Sequence, residues 1–283
     1  MKLNNNSDYT INFTRKALNT ISKHANLNEP EQVKMFIAML KNVTDGYKKN
    51  LCIAYNKYAK HYQIQWQMPK YTHEARNIPL PTREKLLILV SNAGKLLSMK
   101  LQLSMEAGLR PVELTRLKVK DIDLDHKTVN PTTAKKGNAR TVPLSQNLTT
   151  KIQEHITTYQ LNPNDQLFKG ADPDHYGKQY REMRNVLANK LKDPTIKTIR
   201  LYDFRHYFCT KKLYDTNNPY TVMILMGHKK LETTMKYMHL MNLDDDEWSV
   251  VGATTAKEAT TLLEHGFQYQ TTIEGIQLFR KRK

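Results

Sequence analysis

Residues 63–81, QIQWQMPKYTHEARNIPLP, hold two proline-bearing segments and no sustained helical period, so no single helix or strand can run through them. A chain of 283 residues interrupted there must fold as a short N-terminal part and a longer remainder, each with its own core. The short part reads as helices over 8–25, 30–42 and 44–62. The second starts at Pro30 and repeats Val33, Phe36, Ile37 and Leu40, and the third repeats Tyr47, Leu51, Ala54, Tyr55 and Tyr58. Lysines fill the opposite faces, which predicts a small helical bundle with a basic exterior.

The remainder mixes helices and short strands. Thr82 caps a helix through REKLLILVSNA, and Gly108 closes the next one, KLLSMKLQLSMEAG. LKVKDIDLDHKTVN and ARTVPLS alternate as strands do, with KKGN as a turn; in DIDLD (121–125) this alternation puts three aspartates on one solvated face. Helices are expected again over 146–160, 174–192 and 202–216. After 240 the pattern is a strand (EWSVVGAT), a capped helix (TAKEATTLLEHG) and a hairpin turning at Glu274-Gly275. The fold expected is mainly α with a small antiparallel β-sheet. Its parts are a helical domain at 1–75, an α+β domain at 76–240 and a small α+β tail at 241–283.

Charge narrows the partner. Forty-four Lys and Arg against 27 Asp and Glu leave a formal charge of +17, and that field points first to nucleic acid. The surplus is spread out: residues 1–75 hold 11 basic and 5 acidic side chains, which suits a protein that wraps its ligand. The apolar runs MFIAML (35–40) and LLILV (86–90) are far shorter than the ~20 residues of a membrane span. The N-terminus lacks an apolar signal core, and Cys52 and Cys209 have no ligand spacing. The expectation is a cytoplasmic, nucleoid-associated protein that needs no metal or cofactor and binds no membrane.

Three stretches carry candidate chemistry. In EAGLRPVELTRL, Gly108 ends one helix and Pro111 opens the next, so Arg110 stands at a helix N-terminus, where an anion is favoured; it could equally pair with Glu113. In LYDFRHYFCTKKL, the stripe Leu201, Phe204, Phe208 and Leu213 puts the helix in the core. Arg205 beside it then needs a carboxylate, Asp203 or Glu113, or a phosphate. In TVMILMGHKKLETTMKYMHL, a helix ends at Gly227 and another begins near Glu232. There Met235, Met238 and Leu240 could form an ordinary apolar face with Tyr237 at its rim.

Together these stretches resemble the tyrosine recombinase (phage integrase) family from about Leu80 to Leu240. GLRPVEL matches its first box and supplies Arg110. YDFRH matches its second and supplies Arg205 with His206, and GHKKLETTMKY matches its third and supplies His228 and Tyr237. The resemblance also implies a lysine in the turn ahead of RTVP: Lys135 by its spacing from Pro143, with Lys136 as the alternative. Lys136, Arg140 and His206 are assigned to DNA contact. One position departs from the pattern, because Tyr202 stands where a histidine is usual. A phenol can donate a hydrogen bond to phosphate but exchanges protons poorly at neutral pH.

The resemblance implies a site-specific recombinase in which Tyr237 attacks a DNA phosphodiester while Arg110 and Arg205 neutralise its oxygens. Lys135 then protonates the departing 5′ oxygen and His228 assists. Residues 1–75 resemble a core-binding domain that clamps double-stranded DNA. A homotetramer on two synapsed sites is implied, with accessory DNA-bending proteins as candidate partners. The tail resembles that of archaeal-type integrases and favours an integrase. The alternatives are a chromosome-dimer resolvase of the Xer type, a relaxing topoisomerase and a DNA-binding protein that has lost catalysis.

Overall fold

The computed structural model describes residues 6, 8–72, 80–133, 137–170, 172–238 and 248–282. It is mainly helical with two small antiparallel sheets, and it divides into two compact units, Met1–Asn77 and Ile78–Lys283. No helix among the described residues is long and apolar enough to cross a membrane.

The first unit packs α1 (Asp8–Ser22), α2 (Pro30–Met39) and α3 (Asp45–His61) around Ile21, Val33, Ile37, Leu51 and Tyr55, all fully buried. Tyr55 can be buried because its hydroxyl donates to the Leu27 carbonyl at 2.9 Å. Arg15, Lys16, Lys23, Lys41, Lys49 and Lys60 are exposed. The stretch after α3 does more than link the units. Ile64, Trp66 and Tyr71 pack on this core, and the Trp66 ring meets Tyr55 edge-on at 4.6 Å. Residues 73–79 of the expected linker lie outside the described residues. Tyr47, which the helical period assigns to the core, is exposed at the start of α3.

In the second unit, α4 (Arg83–Asn92), α5 (Lys95–Ala107) and α6 (Pro111–Arg116) lead into a sheet of β1 (Ile122–Asp123), β2 (Thr128–Val129) and β3 (Val142–Pro143). α7 (Gln146–Thr158), α8 (Pro173–Lys190), α9 (Leu201–Thr216), α10 (Pro219–Met226) and α11 (Leu231–Met235) follow. α9 packs against α5 and α10. The strands are shorter than their alternation suggests. Ile122, Val129 and Val142 are paired neighbours on the buried face, and little else is paired. The three aspartates therefore do not share a strand face. Asp121 ends a 3-10 turn and accepts the Lys118 N–H at 2.9 Å, while Asp123 accepts the His126 N–H at 2.9 Å.

The tail forms a second sheet in the order β4 (Trp248–Ala253), β6 (Ile276–Arg282), β5 (Gln268–Ile273), with α12 (Ala256–Glu264) connecting β4 to β5. Its hairpin turns at Glu274 and Gly275, where φ is 52° and 81°, both in the left-handed region that a tight two-residue turn requires. Both cysteines are free and buried.

Gly108 ends α5 with φ +61°, and a Cβ there would lie 2.4 Å from Cδ1 of the buried Phe208 ring. Gly108→Ala should therefore lower unfolding stability by about 2 kcal/mol or more, combining overpacking with a strained backbone. Urea denaturation read by circular dichroism measures it.

Candidate active site

Arg205 is 2% exposed, in the second turn of α9. It does not pair with either carboxylate proposed for it. Asp203 accepts the Arg200 N–H at 2.7 Å and the Arg200 guanidinium at 2.8 Å, closing the first turn of α9. The Arg205 guanidinium donates instead to the Gly108 carbonyl and, at 2.8 Å, to the Met226 carbonyl. Both acceptors sit at helix C-termini, of α5 and α10, where carbonyls lack helical partners and carry partial negative charge. Carbonyl dipoles satisfy the N–H groups without cancelling the charge. Burial first, then the charges of Arg110 and Arg140, push Arg205 down to about 10, so it remains protonated at neutral pH.

Arg110 precedes the first residue of α6, and Glu113 accepts its backbone N–H at 3.0 Å and its guanidinium at 2.7 Å. The pairing expected as an alternative to function is thus present. Glu113 is also shared, however, accepting Arg140 Nη2 at 2.6 Å. Burial alone would raise the Glu113 carboxyl, but the hydrogen bond and charge of Arg140, joined by Arg110, hold it at about 2. The Arg140 side chain is fully buried, which corrects its assignment to DNA contact: it serves as the second cation on Glu113. Three guanidinium groups against one carboxylate leave this region positive.

His228 follows the left-handed Gly227 that ends α10. Its Nδ1 lies 2.8 Å from Thr234 Oγ1 and its Nε2 lies 3.3 Å from Arg205 Nη2. An arginine can only donate, so the network assigns the proton to Nδ1. Burial and then the charge of Arg205 push His228 down to about 4. Gly227 cannot take a side chain easily, since a Cβ would lie 2.8 Å from the Asn138 carbonyl oxygen. Asn138 in turn donates through its side chain to the His228 carbonyl at 3.3 Å. Lys135 and Lys136 lie outside the described residues.

Tyr237 is not at a rim. α11 is only five residues long, so its period stops at Met235 and the chain enters a turn. Met235 and Met238 are exposed, whereas Tyr237 is 7% exposed; Leu240 lies outside the described residues. The Tyr237 hydroxyl is 2.7 Å from His206 Nδ1. Burial, with a contribution from Cys209, raises the phenol, and the charge of Arg205 opposes it. His206, assigned from sequence to DNA, thus sits on the Tyr237 hydroxyl. Burial pushes it down to about 4, and Asp203 acts in the opposite direction. Tyr202, 39% exposed in the first turn of α9, has its ring 5.4 Å from that of His206, which is 5.4 Å from that of Tyr237. Sequence reading missed the Arg140–Glu113 pair, the Thr234 partner and this contact. Only the Arg110-to-Glu113 spacing hinted at any of them.

The profile of the phage integrase family matches residues 65–243. The chain belongs to the phage integrase family. A tyrosine recombinase of Pseudothermotoga lettingae is 30% identical over 175 residues, 62% of this chain and 60% of the relative. The tyrosine recombinase XerA of Saccharolobus solfataricus is 32% identical over 158 residues, 55% of this chain and 50% of the relative. This phage integrase family chain therefore matches between half and three fifths of these relatives' length. The structure of the Tn1549 transposon integrase in complex with transposon right end DNA is similar in fold, with a TM-score of 0.60 at 15% identity over 92% of this chain and 94% of that one. So is XerH bound to palindromic difH substrate, with a TM-score of 0.58 at 19% identity over 83% and 72%.

The buried groups set two windows of acid sensitivity. His206 and His228 ordinarily titrate near 6.5 but stay neutral here down to about 4, so the unfolded chain binds the extra protons and stability falls as pH drops from 6.5 to 4. Glu113, ordinarily near 4.5, is held at about 2; its stabilisation is full above 4.5 and is lost as pH falls towards 2. Glu113→Gln should cost roughly 3–5 kcal/mol at neutral pH and flatten the lower window, while His228→Gln should reduce the slope of the upper one. Urea midpoints measured against pH test both.

Proposed function

We propose that this protein is a site-specific DNA recombinase that cleaves and rejoins DNA through a covalent 3′-phosphotyrosine, integrating or excising a mobile element or viral genome. The observation that carries this reading is the convergence of three distant stretches. Arg205 is bonded to the ends of the helices that precede Arg110 and His228, and its neighbour His206 holds the Tyr237 hydroxyl. Tyr237 is the nucleophile. Arg110 and Arg205 match the charge of the attacked phosphate with planar donors that stay protonated at working pH. His228 assists at the phosphate, and Lys135, or Lys136 beside it, protonates the 5′ oxygen.

Exchange of one phosphodiester for another loses little bond energy, so a second 5′-hydroxyl can reverse the step without ATP. The guanidinium groups supply the positive charge that metal ions supply in other phosphoryl-transfer sites. The partner is double-stranded DNA, gripped through the basic exterior of the first unit, and synapsis uses four copies, with accessory DNA-bending proteins as further partners. The working place is the nucleoid of a prokaryotic cell. A second reading, resolution of chromosome dimers, is favoured by the similarity to the Saccharolobus XerA. DNA from the junctions flanking the gene, against a chromosomal site elsewhere, separates the two.

Incubated in EDTA with a labelled, nicked duplex from those flanks, the protein should form an SDS-resistant adduct that Tyr237→Phe abolishes. Salt-sensitive binding without an adduct would instead indicate a DNA-binding protein that has lost catalysis.

A further inference from the structure

Tyr202 stands at the position where a histidine is usual, so the Tyr237 proton needs another acceptor. The neighbours of Tyr237 can be taken in turn. Cys209, one turn along α9, is a thiol pushed up to about 12 by burial and remains protonated. Both ring nitrogens of His228 are engaged, by Thr234 and by Arg205. Asp203 is occupied by Arg200. Arg110 and Arg205 can only donate. Among the described residues His206 remains, with Nδ1 at 2.7 Å from the Tyr237 hydroxyl.

We propose that His206 is the general base of the cleavage step, its Nδ1 taking the Tyr237 proton as Oη attacks phosphorus. The proposal rests on the recombinase reading and adds a catalytic residue to it. The Oη–H bond breaks and its proton moves to Nδ1. The freed electron pair forms the Oη–P bond, and the P–O5′ bond breaks with its electrons on the 5′ oxygen. That oxygen takes a proton from the general acid assigned to the 135–136 lysine pair. In the reverse step the imidazolium returns its proton to Oη.

The surroundings fit both directions. Around His206 stand Arg200, Asp203, Arg205 and Tyr202 on its own helix or cap, and Tyr237 beyond α11. Burial and the nearby arginines keep the ring neutral at pH 7, so one ring nitrogen carries a lone pair, and the proposed step uses the tautomer with that pair on Nδ1. The negative charge carried by the phosphoryl oxygens during attack raises its affinity for the proton at that moment. The Tyr202 ring lies 5.4 Å from this ring, tilted against it.

Single-turnover cleavage of the nicked duplex tests this, with 5′-oxygen and 5′-bridging sulfur leaving groups, in wild type, His206→Ala and His206→Gln. Glutamine keeps a hydrogen-bond acceptor but cannot take the proton, and thermal melts check that both variants fold. Both should cleave about 100-fold more slowly or worse, equally on both substrates. Between about pH 6 and pH 9 the wild-type rate should be flat while the variant rates climb, and added imidazole should restore His206→Ala. Variant rates within about threefold of wild type overturn the proposal. So does rescue by the sulfur leaving group, which marks an acid, or a defect indifferent to pH and imidazole, which marks positioning. If wild type itself forms no adduct, the recombinase reading fails and takes the base with it; normal wild-type cleavage beside unaffected variants removes the base alone.

Discussion

Arg205 is buried on α9, in direct contact with no carboxylate among the described residues, and is held by carbonyls at the ends of α5 and α10. A charge that deep is tolerable only while it is held by polar partners, and these two carbonyls tie it to the ends of both helices. Each stops at a glycine in the left-handed conformation, Gly108 and Gly227. The next residues along the chain are the ones that matter: Arg110 two positions after the first glycine, His228 immediately after the second. A single guanidinium thereby ties together three regions of the sequence, around Gly108, Arg205 and His228.

The cluster built on that anchor sets charged groups beside neutral ones. Arg110, Arg140 and Arg205 hold fixed positive charge, with Glu113 clamped between the first two. His228 is kept neutral by burial and by those same cations, and His206 by burial and by Arg200 and Arg205. The phenol is held protonated by burial. At rest, then, Tyr237 is a buried phenol beside a cluster of guanidinium groups.

Much of this was legible in the sequence, and the parts that were not share a reason. The helices with full periods and caps, such as those begun by Thr82 and ended by Gly108, follow from local chemistry. So does the Glu274-Gly275 turn. Three ordered motifs pointed to Arg110, Arg205, His228 and Tyr237, and the fold brings the three stretches that hold them together. What local pattern could not reveal was partner choice across the chain. Arg140 sits in a polar stretch that reads as surface, and only the distant Glu113 draws it inside. Asp203 looked available to Arg205 until the first turn of α9 claimed it for Arg200. Tyr237 looked like a helix rim because periodicity assumes that a helix continues, and α11 stops after five residues.

Anion occupancy at the arginine cluster tests the central claim most directly. Crystals of the protein soaked in tungstate, a tetrahedral stand-in for phosphate, should show one strong anomalous peak within hydrogen-bonding distance of both Arg110 and Arg205, on the side facing Tyr237. An empty cluster, with tungstate bound only at surface lysines, would mean that the three guanidinium groups serve the fold alone and that Tyr237 has no phosphate to attack.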